Sequence, residues 1–382
     1  MEFLFTLFII LVLTKVAGHF FSRMGIPSVV GDLLIGIIIG PALLGWVLPT
    51  TFLLDFAEIG VILLMFMAGL ESDLGILKKY MKPSIIVATS SVFVPITLCF
   101  AIGMLWGFVP ENALFLGLLF GATSLSISVQ VLKEYKKLDS KEGATILGAA
   151  VLDDVLVVIL LNIVISMFDE NSATYPLWLL LTKKIVFFII IFIAYKWLVP
   201  TIMRLSEKML SSEAVIAAGI SICLLFAYFA DFMGMAAIIG AFFAGIAVGQ
   251  TKSRKIIDEK IEAVSYALFV PVFFVSIGLN MTFVGINEHI TFILVLTLIA
   301  VLSKLIGGGL GAKLSGFSWS SATIIGAGLV SRGEMALIIS KLGLDSSLLS
   351  NEYYSSIIMV IILTTIIAPF FLKYTIIQQN KN

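Results

Sequence analysis

Gly148-Ala-Ala-Val-Leu-Asp153-Asp154-Val-Leu-Val-Val-Ile-Leu-Leu161 places two adjacent carboxylates inside a run that is otherwise apolar enough to cross a bilayer. One ionisable side chain at mid-membrane costs about 2.5–3.5 kcal/mol on insertion scales, so such groups are kept where they face a polar cavity and carry function. At a helix end dipping into water, Asp-Asp would be an ordinary polar cap. Apolar residues continue from Val155 through Leu161, however, so the pair lies within the span. Neighbouring residues on a helix point about 100° apart. Asp153 and Asp154 therefore serve different faces, one lining a cavity and the other reaching toward a neighbouring helix.

The rest of the chain suits a membrane. It is 60% hydrophobic and 13% charged, with mean hydropathy +1.13, whereas a soluble domain is roughly 45–50% apolar and 25% charged. Lys+Arg and Asp+Glu balance at 24 each, so no net charge draws the chain to nucleic acid or to an acidic partner. Apolar stretches of about 20 residues recur about thirteen times, centred near residues 12, 36, 62, 95, 122, 155, 191, 222, 242, 270, 302, 330 and 363. The first has no basic n-region and no small-residue cleavage site, and reads as a retained helix rather than a signal peptide. Cys99 and Cys223 lie in apolar runs without metal-ligand spacing and read as packing residues.

An odd number of spans puts the termini on opposite sides, and basic residues mark cytoplasmic loops. Lys78, Lys79 and Lys82 follow the third span; Lys133, Lys136, Lys137 and Lys141 the fifth; Arg204 and Lys208 the seventh; Lys252, Arg254, Lys255 and Lys260 the ninth. The alternate loops Pro110-Glu111-Asn112, Asp169-Glu170-Asn171 and Asn287-Glu288-His289 nearly lack base. This predicts an outside N-terminus and a cytoplasmic C-terminus in the cell membrane. Lys183 and Lys184 depart from the pattern unless they snorkel at the outer end of the seventh span.

The spans also divide as six, one and six, with residues 1–167 and 209–382 as inverted repeats and 168–208 as a linker helix. Unusual features recur at matching places in the two halves. The fifth span holds Gly121-Ala-Thr123-Ser124-Leu-Ser126-Ile-Ser128, and its counterpart holds Gly326-Ala-Gly328-Leu-Val-Ser331-Arg332-Gly333-Glu334. Both are places where a helix can unwind at mid-membrane, which is tolerated only where the backbone is buried in protein or lines a water-filled cavity. A continuous helix with a small-residue packing face is the competing account; Arg332 and Glu334, two apart, favour the broken helix, where they balance the opposing half-helix dipoles.

Other charges read as less central. Asp32, in Pro27-Ser-Val-Val-Gly-Asp32-Leu-Leu-Ile-Gly36-Ile-Ile-Ile-Gly40-Pro41, reads as interfacial or structural, as do Glu58, Glu71 and Asp73 flanking the third span and Asp231 ending the eighth. His19 reads as solvated at a helix end. Lys304, in Leu302-Ser-Lys304-Leu-Ile-Gly307-Gly308-Gly309, lies well inside an apolar stretch. A buried ammonium needs a partner or loses its proton, and one of the two aspartates is the expected partner. The other, beside the hydroxyls of the fifth span, suits a small hard cation such as Na+ or Li+. That carboxylate holds a cation or a proton but not both, and such occupancy alternately exposed to each side is exchange. It needs no cofactor and no ATP, and nothing in the chain reads as an enzyme.

These residues resemble the monovalent cation:proton antiporter superfamily, in the branch of bacterial NapA-type Na+/H+ antiporters. The resemblance runs through the Pro27–Pro41 motif, Phe56-Ala-Glu58-Ile-Gly-Val-Ile-Leu-Leu to Gly69-Leu-Glu71, Ala122-Thr123-Ser124, Asp153-Asp154, Gly240-Ala-Phe-Phe-Ala-Gly245, Lys304 and Arg332-Gly333-Glu334. It implies an all-α fold of two inverted six-helix repeats with two crossed broken helices, split into a core transport domain and a dimerisation domain. It implies a homodimer and an elevator-like movement of the core. Asp154 would be the main carrier of cation and proton, Asp153 the partner of Lys304, and Thr123 and Ser124 neighbours of the ion, while Arg332 and Glu334 offset helix ends. Two adjacent aspartates go with electrogenic exchange in this superfamily, and Asn-Asp with electroneutral exchange. If protonation breaks the Asp153–Lys304 bridge, the pair titrates as a coupled system. Related potassium-efflux proteins append a cytosolic nucleotide-binding domain, and the chain stops before one, so no soluble domain is expected.

The sequence leaves K+/H+ exchange, or exchange that accepts both Na+ and K+, open. A bile-acid-type Na+ symporter shares the inverted repeats but has no evident use for Asp153-Asp154 with Lys304. An intramembrane aspartyl protease needs aspartates facing each other from separate helices, and these two are adjacent on one. A channel would call for a pore-lining ring motif, which is not seen.

Overall fold

The computed structural model describes residues 2–24, 28–72, 74–168, 177–281 and 288–381, in backbone only at some helical positions that include Glu71 and Glu334. Pro27, Asp73, Asp169, Glu170, Asn171 and Asn287 lie outside the described residues. In chain order the helices are α1 (Glu2–Arg23), α2 (Ser28–Ile39), α3 (Thr51–Glu71), α4 (Leu74–Lys79), α5 (Met81–Leu105), α6 (Pro110–Gly121), α7 (Leu125–Glu134), α8 (Lys141–Phe168) and α9 (Leu177–Ile193). They continue as α10 (Val199–Ser206), α11 (Ala214–Phe232), α12 (Ala237–Gly249), α13 (Arg254–Val264), α14 (Val270–Leu279), α15 (Ile290–Leu314), α16 (Trp319–Gly328), α17 (Glu334–Asp345) and α18 (Asn351–Lys381). Single π-helical turns, Ala194–Leu198 and Ser265–Phe269, join α9 to α10 and α13 to α14.

Among the described residues, ten helical stretches are long and apolar enough to cross a membrane, and no strand occurs. This is an all-α, multi-pass membrane protein. The count of about thirteen full spans is not reproduced as such. The expected spans near 36 and 242 are the short helices α2 and α12, of 12 and 13 residues. Those near 122 and 330 are centred on interruptions, between α6 and α7 and between α16 and α17. Glu58 lies two turns inside α3, exposed, rather than at its flank. Asp32 is half-buried in α2, and Asp231 is exposed at the end of α11.

The chain forms two compact units, each assembled from separate segments. The first comprises Met1–Leu11, Thr50–Ile76 and Tyr175–Phe274. Here α12 presents the small residues of Gly240–Gly245 to two neighbours. Gly245 meets Gly69 of α3, where a Cβ would come within 2.9 Å of the Gly69 Cα, and Gly240 packs on the backbone of Phe226 in α11. Helices in lipid gain little from burying apolar surface, so close backbone approach through small residues supplies much of the attraction. Lys184, which fits the basic-loop pattern only if it snorkels, is buried and donates to the Gly234 carbonyl at 3.2 Å, in the turn that ends α11.

The second unit comprises Val12–Pro49, Leu77–Thr174 and Val275–Asn382. Its core gathers Phe115, Leu116, Phe120, Phe292, Leu296 and Ile361 around α6, α15 and α18. Consecutive glycines on α15 serve different neighbours: Gly307 lies against Ser90 and Ser91 of α5, and Gly308 against Gly326 of α16. Both interruptions and Asp153, Asp154 and Lys304 belong to this unit.

A Cβ branch at Gly245 has no space against Phe66, Leu70 and Gly69. Gly245→Val is expected to destabilise the protein by about 1–3 kcal/mol, the usual cost of overpacking, read as a lower melting temperature of the purified protein in detergent.

Candidate functional site

The site is built where two helices stop. α6 ends at Gly121, and Ala122 and Ser124 take extended conformations before α7 begins. α16 ends at Gly328, and residues 329–333 lead to α17. The interruptions are bonded to each other. Ser124 N–H donates to the Ser331 carbonyl at 2.8 Å, the Ser331 hydroxyl returns to the Ser124 carbonyl at 2.8 Å, and the Ser128 hydroxyl donates to the Gly328 carbonyl. Without such partners, unwound backbone in hydrocarbon costs several kcal/mol per group.

Two buried cations meet the carbonyl ends of the half-helices, where the helix dipole is negative. The Arg332 guanidinium, fully buried, donates to the carbonyls of Phe120 at 3.0 Å, Val330 at 2.6 Å and Ala300 at 2.8 Å. It lies 5.7 Å from the centre of the Phe120 ring. The backbone carbonyl of Arg332 accepts from the Thr365 hydroxyl of α18. Glu334 opens α17, at the positive end of that half-helix.

The Lys304 ammonium is the second cation, and all three of its donor positions are used. It donates to the Gly121 carbonyl at 2.7 Å, to the Thr123 hydroxyl at 2.6 Å and to Asp153 Oδ2 at 3.1 Å. The ion pair has no solvent exposure on either side chain. Asp153 is further held by the Thr123 hydroxyl at 2.8 Å, and by Ser91 Oγ, 2.9 and 2.8 Å from its two oxygens. Asp154, next along α8, is also buried, at 4% exposure. Since taking charges out of water is costly, a buried pair is tolerated only with good geometry and saturated hydrogen bonds. This one has both.

Asp153, Lys304 and Thr123 thus come together directly. Ser124 joins the two interruptions and lies 3.1 Å from the Ser126 hydroxyl. Arg332 sits on the helix ends, while the Glu334 side chain lies outside the described residues. Sequence reasoning missed Ser91, the Gly121 and Ala300 carbonyls, and the bonds of Ser128 and Ser331. The hydroxyl pair Ser90-Ser91 in the middle of the fourth expected span was the available signal, and an ambiguous one.

Residues 7–378 match the family described as "Sodium/hydrogen exchanger, transmembrane". The chain belongs to the sodium/hydrogen exchanger family. It is 49% identical over 375 residues to a Na+/H+ antiporter of Enterococcus hirae, covering 98% of both chains. It is 50% identical over 381 residues to the Na+/H+-K+ antiporter GerN of Bacillus cereus, covering 100% of this chain and 98% of that one. The fold is similar to that of the sodium proton antiporter MjNhaP1 of Methanocaldococcus jannaschii, with a TM-score of 0.71 at 17% identity, over 97% of this chain and 96% of the other.

Removing the ammonium strands a buried carboxylate, which costs about 3–5 kcal/mol, whereas replacing both partners is close to neutral. Lys304→Met is therefore expected to lower the melting temperature sharply, and Asp153→Asn in the Lys304→Met background to restore more than half of the loss. Equal instability of the single and double variants would sink this account.

Proposed function

We propose that the chain is a secondary Na+(Li+)/H+ antiporter of the cell membrane, exchanging cytoplasmic Na+ for external protons. The observation that carries this reading is the fully buried Asp153–Lys304 pair on the joined interruptions, with buried Asp154 beside it. The activities named for the relatives point the same way. In this reading Asp154 carries Na+ or a proton in turn, with Thr123 and Ser124 as polar neighbours. Asp153 takes up a second proton as its bridge to Lys304 opens, so more protons than cations cross per cycle. Arg332 and Glu334 offset helix ends and take no part in transport. Alternating access is an elevator-like movement of the body carrying the interruptions, within a homodimer held by a dimerisation domain. The N-terminus is outside and the C-terminus cytoplasmic, with repeats at 1–167 and 209–382 and a linker at 168–208. Transported ions are substrates; no cofactor is invoked.

A second reading extends the substrate to K+, as the name of the GerN antiporter suggests.

Proton flux in everted vesicles or proteoliposomes, with Na+, Li+ and K+ added in turn, tests the proposal. A pH change driven by Na+ and Li+, and lost in Asp154→Asn, is the expected result. A response to K+ as well favours the wider substrate range, and no cation-dependent flux on either side of neutral pH would overturn the exchanger reading. Protonated Asp154 excludes Na+, so the apparent KM for Na+ rises as pH falls.

Asp153→Asn tests the coupling separately. Wild-type exchange should respond to an imposed membrane potential, and the Asp153→Asn variant, if active, should not. A potential response unchanged by the substitution would remove Asp153 from charge coupling.

A further inference from the structure

The Asp153 carboxylate is bonded by Ser91, Thr123 and Lys304, and the lysine is the most distant of them. Its Oδ2 takes the Thr123 hydroxyl at 2.8 Å, the Ser91 hydroxyl at 2.8 Å and the Lys304 ammonium at 3.1 Å. Bonds between an ammonium and a carboxylate are usually about 2.7–2.9 Å, and Lys304 makes its other two bonds shorter, at 2.7 and 2.6 Å. The position of the carboxylate is therefore set by the hydroxyls more than by the cation.

The two hydroxyls act differently. Thr123 and Lys304 both meet Oδ2, which leaves the group able to turn about its Cβ–Cγ bond, a torsion with only broad preferences. Ser91 spans the group, 2.9 Å from Oδ1 and 2.8 Å from Oδ2. Among the described residues it is the one side chain bonded to Oδ1. Ser91 fixes the plane of the carboxylate. It does so although the Ala88 carbonyl of its own helix lies 3.1 Å away, the kind of partner that helical serines ordinarily take. Thr123 belongs to an interruption, whereas Ser91 is fully buried on the continuous helix α5 and holds Asp153 from outside.

Asp154 follows Asp153 on α8 and is buried beside it. A cation held by Asp154 attracts any further carboxylate oxygen within reach, the more so out of water. An Asp153 free to turn would divide itself between that cation and Lys304. We propose that Ser91 is a positioning residue, which holds Asp153 on Lys304 and keeps Oδ1 turned away from the cation carried by Asp154. One aspartate then serves the cation and the other the lysine. Without Ser91 both aspartates share the cation, which binds more tightly and leaves more slowly. The proposal rests on the exchange reading.

The test measures Na+- and Li+-driven proton flux in proteoliposomes at one pH, with KM and kcat for wild type, S91A, S91C, S91T and T89A. In S91A, KM for Na+ and kcat should fall together, each about threefold or more, as expected for loss of one hydrogen bond. S91C keeps the size of serine with only a weak donor and should follow S91A; it carries the test if S91A is unstable. S91T keeps the hydroxyl and should return both constants toward wild type. T89A removes a hydroxyl that bonds the Ile85 carbonyl of its own helix and should change neither. Wild-type constants in S91C would reduce Ser91 to packing and overturn the proposal, as would a KM that rises or stays level in S91A and S91C. Absence of cation-driven flux in the wild type is a separate failure: it removes the exchange reading, and the role of Ser91 with it.

Discussion

Helices that stop inside a membrane leave their last carbonyls without partners, and hydrocarbon offers none. In this protein two buried cations supply them. Arg332 takes carbonyls from the end of α6, from Val330 in the segment after α16 and from within α15, and Lys304 takes the last carbonyl of α6. The requirement comes first and the chemistry follows from it. Once a lysine is fixed at the end of α6 to satisfy backbone, a carboxylate within reach becomes tolerable there, and Asp153 occupies that place.

The double role of Lys304 also bears on the proposed opening of its ion pair. An ammonium whose only partner were Asp153 would be stranded by protonation of the carboxylate, at a cost that would hold the bridge shut. Lys304 keeps the Gly121 carbonyl and the Thr123 hydroxyl as acceptors whatever Asp153 does. Hydrogen bonds to a charged group contribute about 1.5–3 kcal/mol each, so two retained bonds lower the cost of losing the third. A coupled pair of this kind suits a proton site better than an isolated salt bridge would.

How far the sequence spoke depended on whether a residue had a local alternative. Charge in hydrocarbon has none, so Asp153, Asp154, Lys304 and Arg332 stood out, and the glycine- and serine-rich runs beside Thr123 and Ser331 marked the interruptions. The short α2 and α12 were legible in position but not in length, because apolar loop residues extend their hydropathy. Hydroxyls were the hardest. In α5 the side chains of Thr89, Ser90 and Thr97 all bond carbonyls of their own helix, as such residues commonly do. Ser91 also lies 3.1 Å from its own helix, at Ala88, yet it reaches Asp153 on another. Nothing in its neighbours distinguishes it; only the packing of α5 does. Lys184 shows the converse, a cation that fits the basic-loop pattern only at the surface and that a turn carbonyl draws inward.

That packing returns the argument to α15. For one ammonium to touch Gly121, Thr123 and Asp153, and for Ser91 to close on the same carboxylate, α5 and α16 must both approach α15 more closely than side chains allow. A Cβ at Gly307 would lie 2.7 Å from the Ser90 carbonyl, and one at Gly308 would lie 3.0 Å from the Gly326 Cα. The two glycines follow Lys304 by about one turn and point to different neighbours, so the same bare stretch admits both helices. Donor geometry at a site of this kind must hold within about 0.5 Å, a tolerance smaller than one methyl group. The glycine run and the buried charges are therefore one device: the first sets the distance at which the second can be satisfied.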